Sequence, residues 1–167
     1  MYAYCLFCET MKCDAVAGHI QRKYGYRAIS PRIVQRKWVK GVPHEETRPL
    51  LPGYVFVYAD APVEAPRAAL RLENVLRLLG DPDAGYALAG DDLRFARMLL
   101  DCDGTVGILK VYREGDRVKL APDALGGIEG EIIRLDRNKG RAEIRYYFAG
   151  TACHVWVGYE MIEGQPG

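Results

Sequence analysis

No apolar run in this chain approaches the roughly 20 residues needed to span a bilayer, and the N-terminus lacks the basic and apolar pattern of a leader peptide. Both absences point to a cytoplasmic protein without a membrane role. The five cysteines are odd in number and irregularly spaced, which excludes a secreted disulfide framework and fits reduced thiols. A formal net charge of +1 over 167 residues removes any argument from bulk electrostatics. Phosphate-cradling glycine loops and paired acids are missing, so an enzyme reading has little to stand on. His19 and His44 have no carboxylate partner suggested by spacing, and His154 follows Cys153, so the two would face opposite sides of a strand. Cys5-x-x-Cys8 has the spacing of half a zinc site, yet the second half is absent, and positions three apart on a strand face opposite sides. We therefore expect no catalytic residue, no metal and no cofactor.

What is present is organised around Arg48-Pro49-Leu50-Leu51-Pro52-Gly53-Tyr54-Val55-Phe56-Val57-Tyr58. Two prolines fix φ and withhold donors, and the glycine opens a conformation closed to other residues, so no helix or central strand runs through. The apolar, aromatic and β-branched run that follows reads as a buried strand launched from a kink. Leu50 and Leu51 either fill the core behind the turn or form an apolar lip presented to a partner. From Arg22 to Lys40 the basic residues Arg22, Lys23, Arg27, Arg32, Arg36, Lys37 and Lys40 meet no acidic neighbour. Such a run is a solvated face or a surface for an anionic partner.

In chain order, Tyr2 to Phe7 reads as a strand and Cys13 to Tyr24 as a helix, with Val16, Ile20 and Tyr24 four apart and Gly25 as its stop. Ala28 to Val39 reads as the first arm of a long basic hairpin that turns at Gly41-Val42-Pro43 into a polar arm, His44 to Thr47. Ala61 to Leu72 reads as a second helix and Val75 to Leu79 as a strand. Gly90-Asp91-Asp92 reads as the cap of a third helix bearing Leu93, Ala96, Arg97 and Leu100 and ending at Asp101. After Asp101 to Thr105 the texture changes to short strands and turns as far as Ile162, the pattern of a small barrel. The expected fold is α+β, a sandwich over residues 1–100, a linker over 101–110 and an all-β barrel over 111–163.

Pro49-Leu50-Leu51-Pro52-Gly53-Tyr54-Val55-Phe56-Val57 resembles the PLFPGYVFV signature of the N-terminal domain of NusG, a family of bacterial transcription elongation factors that ride on RNA polymerase. Tyr4 to Lys12 looks like that family's first strand and the entry to its first helix. Gly115 to Leu120 and Leu125 to Ile133 resemble the KOW motif that the family carries in an SH3-like barrel. Leu135 to Ala142 and Val155 to Glu160 further resemble the KOW domains of LoaP, a specialised NusG paralog that acts as an operon-specific antiterminator recruited by a leader RNA hairpin.

The resemblance implies an antitermination factor. Its N-terminal domain would bind the polymerase clamp helices through Phe7, Leu50, Leu51, Pro52 and Tyr54, with leucine at 51 where the family often has phenylalanine. Its barrel would bind a structured nascent RNA, and the residues agree: Asp136 to Gly140 reads as a hairpin tip that projects Arg137, Asn138 and Lys139 into solvent, with Arg141 and Arg145 on one face of the next strand. Lys119 would extend this patch. A monomer is expected. Two alternatives stay open: a housekeeping elongation factor that couples polymerase to a termination factor or the ribosome, and a ribosome-associated KOW-type RNA-binding protein.

Overall fold

The structure, a computed structural model, describes residues 1–62, 71–126 and 128–163. Its first elements are β1 (Tyr2–Cys8), α1 (Cys13–Tyr24), β2 (Arg27–Ile29), β3 (Arg32–Val39), β4 (Val42–Pro49), β5 (Tyr54–Ala59) and β6 (Val75–Leu78). These are followed by α2 (Gly90–Asp101), β7 (Thr105–Val106), β8 (Leu109–Glu114), β9 (Arg117–Leu120), β10 (Gly130–Asp136), β11 (Arg141–Phe148) and β12 (Thr151–Met161). The helix expected over Ala61 to Leu72 falls largely outside the described residues. The chain divides into two compact units, Met1–Pro31 with Leu51–Gly104, and Arg32–Leu50 with Thr105–Gly167. The basic hairpin β3–β4 thus belongs with the barrel, although it precedes β5 in the sequence.

The corner at Gly53 sets the first unit. Its φ is 93°, and a Cβ there would lie 3.0 Å from Phe7 Cε2 and 3.3 Å from the Cys8 carbonyl oxygen. Only a glycine lets the two backbones approach so closely. The Cys8 amide donates to the Gly53 carbonyl at 2.6 Å, and the Tyr54 amide to the Leu51 carbonyl at 3.1 Å. β1 and β5 then pair antiparallel from Phe7 opposite Tyr54 to Tyr2 opposite Ala59, at the centre of the sheet β2-β5-β1-β6.

Both faces of this sheet are covered, which is why β5 is apolar at consecutive positions rather than alternate ones. Tyr4, Leu6, Cys8, Val55 and Val57 pack with Cys13, Val16, Ala17 and Ile20 of α1. On the other face Phe56 meets Phe95 of α2, ring centroids 5.9 Å apart. The Tyr58 hydroxyl donates to the Ala96 carbonyl at 2.7 Å. α1 stops where Gly25, at φ 72°, donates its amide to the Gln21 carbonyl.

Three local readings need correction. α2 begins at Gly90 without a side-chain cap, its acids Asp91 and Asp92 lying in the first turn instead, where they favour the positive end of the helix dipole. Its buried face is Phe95, Ala96, Met98 and Leu99 rather than Leu93, Ala96, Arg97 and Leu100, because the ring of Phe95 seats against Phe56 and rotates the apolar stripe. Ala28 to Val39 is two strands, β2 and β3, interrupted at Ser30 and Pro31. The expected long basic hairpin is present, its polar arm His44 to Thr47 lying in β4, which pairs along its length with β3.

In the second unit β10-β11-β12-β8-β9 form a five-stranded sheet in which only β12 and β8 run parallel, and β9 meets β10 to close a small, nearly complete barrel. Ala142, Ile144, Tyr146, Phe148, Val111 and Val157 fill it. The Tyr146 hydroxyl donates to the Leu50 carbonyl at 3.1 Å.

Two outcomes follow from the first unit. Gly53→Ala should lower stability by about 1–3 kcal/mol, since alanine must hold a left-handed φ against Phe7. A urea midpoint equal to wild type would show that the corner relaxes freely. Burial holds the Cys8 thiol up at about 12 and raises Cys5 and Cys13 as well. These three should stay protonated and resist maleimide at neutral pH, while partly exposed Cys102 reacts first. Mass mapping of the native protein reads this directly, and rapid labelling of Cys8 would contradict it.

Candidate nucleic-acid interface

The turn between β10 and β11 is locked by its own aspartate. Asp136 pairs with Arg141 across the hairpin, and its Oδ1 accepts from the Lys139 amide at 3.1 Å. Gly140 takes φ 61°, so Arg137, Asn138 and Lys139 stand exposed at the tip. Along β11 the alternation is clean: Ala142, Ile144 and Tyr146 point into the barrel, and Arg141, Glu143 and Arg145 point out. Arg141 Nε lies 3.7 Å from Asp136 Oδ2, and its guanidinium sits 4.9 Å from the Trp156 ring centroid.

The other two expected RNA contacts lie elsewhere. Arg145 is ion-paired with Glu131, four residues and therefore about 13 Å along the strand from Arg141. Lys119 is on β9, ion-paired with Glu114 at 3.4 Å, beyond the closing edge of the barrel. The structure thus gathers Arg137, Asn138, Lys139 and Arg141 at one end.

Among the residues expected to meet polymerase, Phe7 and Tyr54 pack edge to face at 5.4 Å and 62°. The Arg77 guanidinium covers Phe7 at 5.1 Å. Pro52 is exposed beside them. Leu50 and Leu51 are only 3% and 5% exposed, so they take the core-filling alternative rather than forming a lip.

Sequence reasoning missed how β3–β4 docks on the barrel within the second unit. Gln35, a buried polar side chain, donates its amide to the Trp156 carbonyl. Arg36 Nη1 donates to the Tyr159 carbonyl at 3.0 Å and Trp38 Nε1 to the Lys139 carbonyl at 3.3 Å. Gly158 makes room for the crossing: a Cβ there would come within 2.5 Å of Ile108 Cδ1 and 3.6 Å of the Val34 carbonyl oxygen. Between the hairpin and the outer face of β11–β12 lies a cleft of about 570 Å³. The one sequence signal for it was Trp38 inside the basic run.

Other chemistry is sparse. Cys5 and Cys8 are both buried, with Cys8 in the core toward α1. Among the described residues, no group of three or more His, Cys, Asp and Glu side chains could hold a metal ion, and no helix is long and apolar enough to cross a membrane. His154 lies 3.6 Å from Glu143 on the outer face of the barrel.

Comparison with known proteins places this geometry. The chain is 36% identical over 67 residues to the large ribosomal subunit protein uL24 of Sulfolobus acidocaldarius, a match covering 37% of this chain and half the length of that relative. A solved structure described as "Domain interaction in Thermotoga maritima NusG" matches 94% of this chain and 93% of its own, with a TM-score of 0.54 at 17% identity, a likeness of fold. Residues 2–94 match the family described as "Transcription termination factor nusG". That span is more than half of the 167 residues, and the chain belongs to the NusG family.

Proposed function

We propose that this chain is a specialised, LoaP-like antiterminator. Its N-terminal domain would bind the clamp helices of RNA polymerase, and its barrel a hairpin in the leader of its target transcript, promoting readthrough of terminators in that operon. The observation that carries the RNA part is the locked β10–β11 turn, which holds Arg137 and Lys139 exposed and without an ion pair to any described residue. A small rigid basic protrusion suits the distorted groove of a bulged or looped RNA helix better than a plain duplex. On the polymerase side, the exposed Pro52 beside the Phe7–Tyr54 pair is the accessible part of the corner. The likeness to uL24 favours a second reading, a ribosome-associated RNA-binding protein. Retention on polymerase separates the two. A housekeeping elongation factor, the third reading, would use the barrel for a protein partner.

Replacing Arg137 and Lys139 together with alanine should weaken leader-hairpin binding by about 2–4 kcal/mol, if each makes a charge-assisted hydrogen bond, with barrel stability unchanged. Wild-type affinity should itself fall steeply with salt. A double variant that keeps full RNA affinity and full readthrough in a reporter assay returns the protein to the housekeeping class.

Because Leu51 is buried, a charge there would test the core; Pro52→Glu tests the surface. It should reduce co-purification with polymerase at least tenfold, equivalent to about 1.4 kcal/mol, without lowering the melting temperature. Undiminished co-purification would move the contact away from this corner.

A further inference from the structure

The cleft beside β3 holds both of the chain's tryptophans, and they stand in different conditions. Trp156 has two guanidinium groups against its ring, Arg141 at 4.9 Å and Arg134 at 5.6 Å. Trp38 is 47% exposed, and its Nε1 is tied to the Lys139 carbonyl at 3.3 Å. The indole is therefore a fixed, open aromatic face whose ordering is complete before any partner arrives. Exposed stacking platforms of this kind recur where proteins hold single nucleic-acid bases, because every base has a π-face.

Charge in the cleft points the same way. Its two lining carboxylates are engaged, Glu46 by Arg48 at 3.1 Å and Glu143 by Arg134 at 2.6 Å. Lys37 and Lys139 line it without an ion pair to any described residue. Arg141 Nε is buried there with no hydrogen-bond partner among the described residues. An anion beside the indole would be met by Lys37 and Lys139, and by Arg141, which it would share with Asp136, 3.7 Å from Arg141 Nε. The volume, about 570 Å³, falls in the range of small-ligand sites, roughly 300–1,000 Å³.

We infer that this cleft takes one unpaired ribonucleotide of the bound RNA, its base stacked on Trp38 and its phosphate held by Lys37, Lys139 and Arg141. The inference rests on the RNA-binding reading above and extends it from the barrel turn to the β3–β4 hairpin. A base inside a duplex has both faces covered by its neighbours, so only a bulged, looped or single-stranded nucleotide can reach the indole.

The test uses the full-length chain labelled with ¹⁵N, whose two tryptophans give two indole N–H signals, assigned with Trp38→Phe. Hexaadenylate RNA should shift the Trp38 signal, and a short blunt RNA duplex should leave it in place. Trp38→Ala should weaken hexaadenylate binding about tenfold or more, while Trp38→Phe, which keeps an aromatic face, retains most of it. If RNA moves the Arg137 and Lys139 amides but not Trp38, the cleft is wrong and the barrel reading survives. If neither RNA moves any signal, the cleft proposal falls, and the barrel reading is decided by the leader-hairpin measurement above. If hexaglutamate shifts Trp38 as strongly as hexaadenylate, the site is an acceptor for acidic peptides and the nucleotide is excluded.

Discussion

Pairing of β1 with β5 is the constraint on which the first unit depends. Its register is set at one end, where the Cys8 amide meets the Gly53 carbonyl at 2.6 Å. A slip of one residue would turn Val55 and Val57 from α1 toward α2 and drive Phe56 and Tyr58 into the α1 core. Tyr58 would then lose the Ala96 carbonyl that satisfies its hydroxyl, leaving a buried polar group bare. The same corner decides what is available outside: it buries Leu51 and leaves Pro52 in solvent.

Local chemistry was the legible part of the chain. Pro52 and Gly53 announced the corner, Val16 and Ile20 the buried stripe of α1, and Asp136 to Gly140 the exposed turn, because each acts over a few residues. The apolar face of α2 was misplaced because its stripe is chosen by Phe95 against Phe56, a contact across 39 positions that periodicity does not contain. Leu51 carried two readings because an apolar residue at a kink looks alike whether it faces core or partner. The docking of β3 on the barrel was invisible for the same reason on a larger scale: Gln35 and Trp156 are 121 residues apart, and a lone glutamine in a basic strand gives no sign that it will be buried.

A net charge of +1 conceals how unevenly cations are used. Arg27 is engaged by Asp103, Arg145 by Glu131 and Lys119 by Glu114. Exposed pairs of this sort contribute little to stability, but they remove those charges from the set available to an anion. The basic run from Arg22 to Lys40 is also shared between the two units, Arg22, Lys23 and Arg27 in the first and the rest in the second. Lys37 beside Trp38, and Arg137 with Lys139 at the turn, carry no ion pair to any described residue. Position rather than quantity of charge distinguishes this surface.

The tie between Trp38 and Lys139 spans 101 residues, and this has a consequence during synthesis. At about 5–20 residues per second, Trp38 is synthesised roughly five to twenty seconds before Lys139. Throughout that interval Gln35 has no Trp156 carbonyl to satisfy, and the indole has no anchor. The second unit is completed only when the C-terminal strand β12 has left the ribosome, so truncated products would carry the family's N-terminal signature while lacking the cleft entirely.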